Sequence, residues 1–215
     1  MEKKWVDGLN APKGMYIYKG KLYVADIDEI IEINIKTRRV QSFQAPEATF
    51  LNDVTADKRG NVYVSNTFGF SGIYKLSKKG KVYLWMKDDK LNMPNGLLID
   101  EKDLYVANWG IDLNPETYVT KTLGNVLKVN VKDKSITPVS QSIGNLDGLE
   151  KTIHGHFITD WLSGKLLYLN GANNQVSEAL DLPKGSADIG FDKATKMVYI
   201  PLMLDGKLLG YRLSK

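Results

Sequence analysis

Short segments in which apolar and polar residues alternate recur five times along the chain, each built around an aromatic residue. They cover residues 22–26, 62–66, 104–108, 156–160 and 198–202, and their aromatic residues are separated by 40, 42, 52 and 42 positions. Alternation with a period of two is typical of β-strands, and a repeat near 40 residues is typical of a propeller whose blades have four strands. The sequence therefore predicts an all-β propeller with five visible blades.

The strands around each aromatic segment follow one order within every repeat. An inner strand leads through a tight turn to the aromatic strand, and a third and an outer strand follow. One domain, residues 1–215, is expected, with repeats at about 9–46, 47–89, 90–140, 141–183 and 184–215 and an outer strand in 1–8. The last repeat ends after its third strand. Two interpretations of the ring are possible. Either the first residues complete the last blade of a five-bladed ring, or the chain is an N-terminally truncated six-bladed propeller.

Composition excludes several classes of site. The chain has 215 residues, 43% of them hydrophobic, and it contains no cysteine, so disulfides and thiolate ligands are absent. The formal net charge is +4, but the basic residues fall singly or in pairs at predicted hairpin turns, such as Lys58/Arg59 and Lys78/Lys79. Such scattered charges usually serve solubility, so a nucleic-acid partner is not expected.

Membrane and export signals are not found in the printed sequence. No run of 18 apolar residues occurs, so a membrane partner is not expected. The first residues include two lysines without a following apolar stretch, so no signal peptide is expected on this chain, although a missing N-terminal segment could have carried one.

Two columns of polar residues are expected at one mouth of the central channel. Inner and second strands are antiparallel, so the start of the first and the end of the second share a face. The first column is Lys13, Asn52, Asn95, Asp147 and Ala187; the second is Asp26, Asn66, Asn108, Asp160 and Leu202. Asp and Asn commonly cap turns, which is the simpler interpretation of the second column. The carboxamide and carboxylate oxygens of the first column suit a hard divalent cation.

Aromatic loops are predicted on the same face. Residues 110–124 form an insertion that accounts for the 52-residue step, and Phe68 and Trp109 flank it. Insertions confined to one face of a repeat protein commonly mark its binding face. We expect Phe68, Asn108 and Trp109 to contact a small organic ligand; loops 66–71 and 109–124 could instead present an interaction surface to a protein partner.

Three ordered motifs carry a resemblance to a known family. They are residues 51–54 (Leu-Asn-Asp-Val), 93–97 (Met-Pro-Asn-Gly-Leu) and 145–149 (Asn-Leu-Asp-Gly-Leu). In type and spacing they resemble the senescence marker protein/gluconolactonase/luciferin-regenerating-enzyme family, over essentially the whole chain. The resemblance implies a six-bladed propeller that holds one divalent cation and hydrolyses lactones, with this chain lacking most of the first blade.

The same resemblance implies roles for individual residues. Asn95 and Asp147 match two metal ligands of the family, and Asn52 matches the residue that binds substrate. Asp147 would also accept a proton while Asn52 orients the ester. Asp53 and Asp188 share one position, a step inside the first column, where they would either support the ligands from behind or only cap an inner strand. The cation would be calcium, or alternatively zinc, manganese or magnesium, and the partner a small-molecule lactone or ester. A third family ligand, a first-blade Glu, has no counterpart here.

Other residues favour or exclude further functions. Phe50 stands where some family members place an Arg, which disfavours a sugar-acid substrate. A non-catalytic propeller and a truncated family member with an incomplete metal site are the alternatives to a lactonase-like hydrolase. His154 and His156 are expected in a solvated turn on the opposite face. No serine-nucleophile elbow and no phosphate-binding glycine loop occurs.

Overall fold

Four antiparallel four-stranded sheets and one three-stranded sheet follow one another in the computed structural model, which describes residues 5–213. The first blade contains β1 (Pro12–Tyr18), β2 (Lys21–Asp26), β3 (Glu29–Asn34) and β4 (Val40–Gln44); the second contains β5 (Leu51–Ala56), β6 (Val62–Asn66), β7 (Gly72–Leu76) and β8 (Val82–Lys87). The third contains β9 (Pro94–Asp100), β10 (Asp103–Asn108), β13 (Val126–Asn130) and β14 (Ile136–Pro138). The fourth contains β15 (Leu146–Lys151), β16 (Gly155–Asp160), β17 (Leu166–Asn170) and β18 (Val176–Leu180); the fifth contains β19 (Gly190–Asp192), β20 (Met197–Leu202) and β21 (Lys207–Arg212).

Two further elements interrupt this pattern. The insertion in the third blade folds as a hairpin of its own, β11 (Gly110–Leu113) with β12 (Thr120–Leu123). A single turn of 3₁₀ helix, Asp89–Leu91, joins the second and third blades. In the described part of the chain no helix is long and apolar enough to cross a membrane. The predicted all-β propeller with five blades is confirmed.

The apolar core lies between the blades. Each sheet presents one face to the blade before it and the other to the blade after it, because side chains alternate along a strand. Four buried clusters result, one at each junction between consecutive blades, and Tyr63, Leu104 and Ile158 are among their most buried members. Among the described residues, no such cluster joins the fifth blade to the first.

The N-terminal residues pack differently from the strand predicted at 1–8. Residues 1–4 lie outside the described residues, and residues 5–8 form no strand. Trp5 and Val6 instead pack with Leu9 against Val24 and Ile31, on the face of the first blade that looks away from the second. The first blade is thus covered by these side chains, and the fifth blade has three strands within the described range.

His156 is buried, in contrast to the solvated turn predicted for it. It lies in β16, is only 8% exposed, and its ring lies 4.9 Å from that of Tyr105 in the third blade. Within residues 5–213 neither ring nitrogen has a hydrogen-bond partner. Burial, and after it the charge of Lys151, lowers the pKa of His156 below its usual value.

We expect the His156→Phe variant to be more stable than wild type, and increasingly so in acid. The substitution removes two buried polar atoms without partners and keeps a ring against Tyr105. The free energy of unfolding should therefore rise by about 1 kcal/mol at neutral pH. Because the folded-state pKa is depressed, wild type loses stability as pH falls below the unfolded value of about 6.5, and the variant escapes that loss. Urea unfolding at neutral pH and at about pH 5 measures this.

His154→Gln is the control for this prediction. His154 is exposed, so its replacement should leave both unfolding curves unchanged. A His156→Phe effect of the same size at both pH values would contradict the assignment of the acid sensitivity to His156.

Candidate functional site

A cavity of about 750 Å³ opens where the inner strands begin. In each blade the inner strand runs from this mouth toward the opposite face, so the residues at its start converge on the axis. Lys13, Asn52, Asn95 and Asp147 line the cavity together with Asp188. The structure therefore brings together the side chains of the first polar column that could bind a ligand.

Neighbouring inner strands approach one another closely beside these residues. A Cβ atom on Gly96 would overlap the carbonyl oxygen of Asp147, and one on Gly148 would lie 2.8 Å from Cα of Asp188. Both glycines immediately follow a cavity residue, Asn95 in one case and Asp147 in the other. Backbone contact without an intervening side chain is what sets Asn95 and Asp147 on adjacent strands at one wall.

Asn95 presents an unsatisfied oxygen. The residue is 2% exposed and lines the cavity, and its Nδ2 donates a hydrogen bond to the carbonyl oxygen of Leu146 at 3.2 Å. In the described part of the chain its Oδ1 has no hydrogen-bond partner. A buried amide oxygen without a partner costs about 1–3 kcal/mol, and such groups in native proteins normally meet water, an ion or a ligand.

Two carboxyl groups near the axis have strongly raised pKa values. Burial, and after it the charge of Asp188, raises the pKa of Asp147 to about 8. The same two causes raise the pKa of Glu150 to about 7, against a smaller opposing effect of Lys193. Asp147 also lines the cavity, so it is a candidate for proton transfer or for cation binding.

The carboxyl groups of Asp53 and Asp188 interact with each other beside the cavity. Asp53 is 5% exposed, and its carboxyl group accepts hydrogen bonds from the backbone N–H groups of Val54 and Leu97, both at 2.6 Å. Burial, and after it the charge of Asp188, raises the pKa of Asp53 well above its usual value, while a side-chain hydrogen bond with Asp53 acts to lower that of Asp188. Asp188 also accepts the N–H of Ile189 at 2.9 Å and that of Met15 in the first blade.

Aromatic rings form the upper walls of the cavity. Phe50 and Phe68 lie 4.8 Å apart in an edge-to-face arrangement, and Tyr118 of the β11–β12 hairpin lies 6.2 Å from Phe68. Trp109 and Trp161 lie 6.0 Å apart on the other side. Nε1 of Trp109 donates to the carbonyl oxygen of Tyr118 at 2.9 Å, so the insertion is anchored directly over the cavity.

Lys13 contributes a positive charge to this mouth. Its Nζ lies 4.3 Å from the centre of the Phe50 ring and 3.0 Å from the carbonyl oxygen of Ala11. Burial lowers the pKa of Lys13, while the charge of Asp26 acts in the opposite direction. The cavity thus combines a cation and aromatic rings at its rim with carboxyl groups at its floor.

The second polar column caps loops and does not line the cavity. Asn108, for which substrate binding was predicted, is fully buried; its Oδ1 accepts the N–H of Asn125 at 3.1 Å and its Nδ2 donates to Oδ1 of Asn125 at 2.7 Å. Asp26, Asn66 and Asp160 accept backbone N–H groups in the same way. Asn108 does not line the cavity, whereas Phe68 and Trp109, which were also predicted to contact a ligand, lie on its wall.

The oxygen donors near the axis that could hold a cation are of two kinds, an amide and a carboxyl group. Within residues 5–213 no group of three or more His, Cys, Asp and Glu side chains is arranged to hold a metal ion. Asn95 offers an unpartnered amide oxygen and Asp147 a carboxyl group, on the inner strands of neighbouring blades that approach closely at Gly96. This pair suits a hard cation that completes its coordination with water.

Several cavity residues were not predicted as site residues from the sequence. Phe50, Tyr118 and Trp161 belong to three different blades, and only the fold brings them to one cavity. In the sequence, only their positions near the residues of the two polar columns could have indicated that they line the cavity.

Comparison with known proteins gives matches at the level of structure. No protein-family model and no curated protein matches the sequence. A gluconolactonase from Xanthomonas campestris superposes with a TM-score of 0.67 at 13% identity, covering 88% of this chain and 68% of that one. Virginiamycin B lyase from Staphylococcus aureus superposes at 0.62 and 13% identity, covering 96% and 71%; a chain of the nidogen/laminin complex superposes at 0.71 and 13% identity, covering 95% and 81%. At these identities the comparisons establish the architecture: the chain has a β-propeller fold.

Proposed function

We propose that this protein is a divalent-cation-dependent hydrolase that opens lactones or related esters in the axial cavity. The observation that carries the proposal is the buried, unpartnered Oδ1 of Asn95, a residue that lines the cavity together with Asp147. The structural likeness to a gluconolactonase and to a lyase supports a catalytic role for a propeller of this kind.

Asn95 and Asp147 are the proposed ligands. Both donors are oxygens, which favours calcium, with magnesium, manganese or zinc as alternatives. One carboxylate and one amide make a weak site compared with the multi-carboxylate sites that bind calcium tightly. Such an ion, when bound, would supply Lewis acidity for an ester carbonyl group.

The chain's own residues would bind and orient the substrate. Asn52 is half-buried at the wall, and its Nδ2 donates to Oγ1 of Thr67 at 3.1 Å, which fixes the amide toward the cavity. Asp147 would accept the proton released when water attacks the ester. Asp53 and Asp188 would hold the neighbouring inner strands in place through their bonds to Leu97 and Met15.

The aromatic walls indicate an apolar substrate. Phe50, Phe68, Trp109 and Trp161 give the cavity a mostly apolar lining that a polyhydroxylated sugar lactone would not match. We therefore expect lactones with an aromatic or alkyl substituent to be hydrolysed at least about tenfold more efficiently than a sugar lactone, since each apolar group buried in such a pocket contributes about 1–3 kcal/mol.

Calorimetric titration with calcium, magnesium, manganese and zinc is the first test. We expect one ion per chain in wild type and no measurable uptake by Asn95→Ala or by Asp147→Ala. Asp181→Asn removes an exposed carboxylate away from the cavity and serves as the control that keeps binding. Uptake that survives both cavity substitutions would contradict the ligand assignment.

A ligand-binding propeller without turnover is the second candidate. The aromatic rims of loops 66–71 and 109–124 favour it, because they could hold an apolar molecule or protein segment without any chemistry. Quenching of Trp109 and Trp161 fluorescence by a lactone, measured alongside hydrolysis in the presence of the bound ion, separates the two. Quenching without product would favour binding alone.

A further inference from the structure

A second concave site lies on the face opposite the axial cavity. The β1–β2, β3–β4, β5–β6 and β7–β8 turns all lie on this face, because the inner strands begin at the other one. These four turns carry nine Lys and Arg residues and one acidic residue, Asp57. The whole chain has a net charge of +4, so the remainder of the chain is net acidic. The fold thus gathers on two adjacent blades a charge that looks scattered along the sequence.

A cleft of about 400 Å³ lies between these turns, at the junction of the first and second blades. Its charged lining consists of Lys19, Lys21, Arg59, Lys78 and a single anion, Glu32. We call this the basic cleft. Its size is that of a pocket for a small molecule, and like-charged residues in a concave site reinforce one another's field.

Three of the four cations remain uncompensated. Lys21 pairs with Glu32 at 2.6 Å, and the hydroxyl group of Tyr23 donates to the same carboxylate at 2.9 Å. Within the described residues, Lys19, Arg59 and Lys78 form no ion pair. Apart from Glu32, which pairs with Lys21, no acidic residue lines the basic cleft to balance them.

The walls of the basic cleft are held in place by hydrogen bonds. The hydroxyl group of Tyr18 donates to the carbonyl oxygen of Lys58 at 2.8 Å, which ties the first blade to the β5–β6 turn. Oδ1 of Asp57 accepts the N–H groups of Arg59 and Asn61, both at 2.9 Å, so this carboxylate is engaged by its own turn. The cations are therefore carried on a fixed frame.

We propose that the basic cleft binds a phosphate-bearing ligand, with Arg59, Lys78 and Lys19 as its anion-binding residues. Phosphate oxygens accept several charge-assisted hydrogen bonds at once, and the guanidinium fork of Arg59 matches their geometry. A phosphorylated soluble molecule and a phosphorylated lipid headgroup offer the same chemistry. The site lies across the molecule from the axial cavity and does not depend on the function proposed there.

The test uses pyrophosphate and vesicles of phosphatidylcholine with and without phosphatidylinositol bisphosphate. We expect pyrophosphate to bind wild type at one site, more weakly as salt is raised. Arg59→Gln/Lys78→Gln should weaken binding at least about tenfold, because two charge-assisted contacts are lost. Lys102→Gln/Lys132→Gln removes two exposed charges from the same face of the third blade, outside the basic cleft, and should change affinity by less than about twofold.

The results distinguish a soluble phosphorylated ligand from a lipid headgroup, and some of them would contradict the proposal. Binding of pyrophosphate without binding of the phosphorylated vesicles indicates a soluble ligand, and binding of both indicates a lipid headgroup. The proposal is overturned if neither probe binds, if both double variants weaken binding equally, or if vesicles of phosphatidylserine bind as well as the phosphorylated ones. The proposal is also overturned if the protein binds single-stranded DNA and Arg59→Gln/Lys78→Gln still binds it, because the basic residues would then serve nucleic-acid binding outside the cleft. Unchanged thermal unfolding shows that both variants are folded.

Discussion

Gly96→Ala is expected to lower the free energy of unfolding by about 3 kcal/mol. The added Cβ would overlap the carbonyl oxygen of Asp147 and would lie 3.1 Å from the backbone nitrogen of Leu149. These atoms belong to the backbone of the adjacent inner strand, which cannot move aside as a flexible side chain can. The junction between the third and fourth blades must therefore open for a single methyl group to be accommodated.

Urea unfolding of Gly96→Ala beside Gly190→Ala measures this effect. Gly190 also lies in an inner strand, but a Cβ there meets no atom within 4 Å. Alanine at that position should be neutral or stabilise by about 0.5 kcal/mol, because it restricts the unfolded chain. Equal stability of the two variants would show that the close approach of β9 and β15 is not a structural requirement.

The same substitution should impair the axial cavity. Asn95 precedes Gly96, and Asp147 carries the carbonyl oxygen that the new methyl group would displace. Any cation uptake by this pair is therefore expected to weaken together with stability. Close packing of the two inner strands is thus enough to require glycine at this position of the 93–97 motif, whether or not a ligand binds.

The architecture could be predicted because each repeat carries its own local signal. The alternation around Tyr23, Tyr63 and Tyr105 identifies a buried strand without knowledge of its neighbours. Since antiparallel strands start and end on defined faces, the position of Asn52, Asn95 and Asp147 at one mouth follows from the strand order alone. These residues line the cavity in the structure.

What could not be predicted depends on contacts that the strand pattern does not specify. His156 sits near a turn in the sequence, yet it is buried because Tyr105 of the preceding blade covers it. Asn108 has the same residue type and spacing as a ligand, but Asn125, 17 positions away, takes up its amide group. Neither partner is indicated by periodicity or motif.

The clustering of positive charge in the basic cleft could not be predicted from the sequence either. Lys19, Arg59 and Lys78 are far apart in the sequence and each occupies an ordinary hairpin turn. Their convergence follows only when the first two blades are placed side by side. A charge distribution that looked suited to solubility alone is thereby concentrated in one cleft.

Asp53→Ala is expected to destabilise the protein by about 3 kcal/mol. The carboxyl group of Asp53 accepts the N–H groups of Val54 and Leu97, and Leu97 belongs to the next blade. Both donors would be left buried without partners, and each such loss costs about 1–3 kcal/mol. Asp188 would also lose its hydrogen bond with the Asp53 side chain.

Asp53→Asn distinguishes the loss of hydrogen bonds from the loss of charge. Asparagine keeps one acceptor for a backbone N–H and a donor for Asp188, but its Nδ2 opposes the second N–H. We therefore expect an intermediate cost of about 1–2 kcal/mol, so that stability falls in the order wild type, Asp53→Asn, Asp53→Ala. The three urea unfolding curves test this order directly. If Asp53→Ala were as stable as wild type, the carboxyl group could not be what joins the second blade to the third, and the apolar cluster around Tyr63 and Leu104 would have to hold that junction by itself.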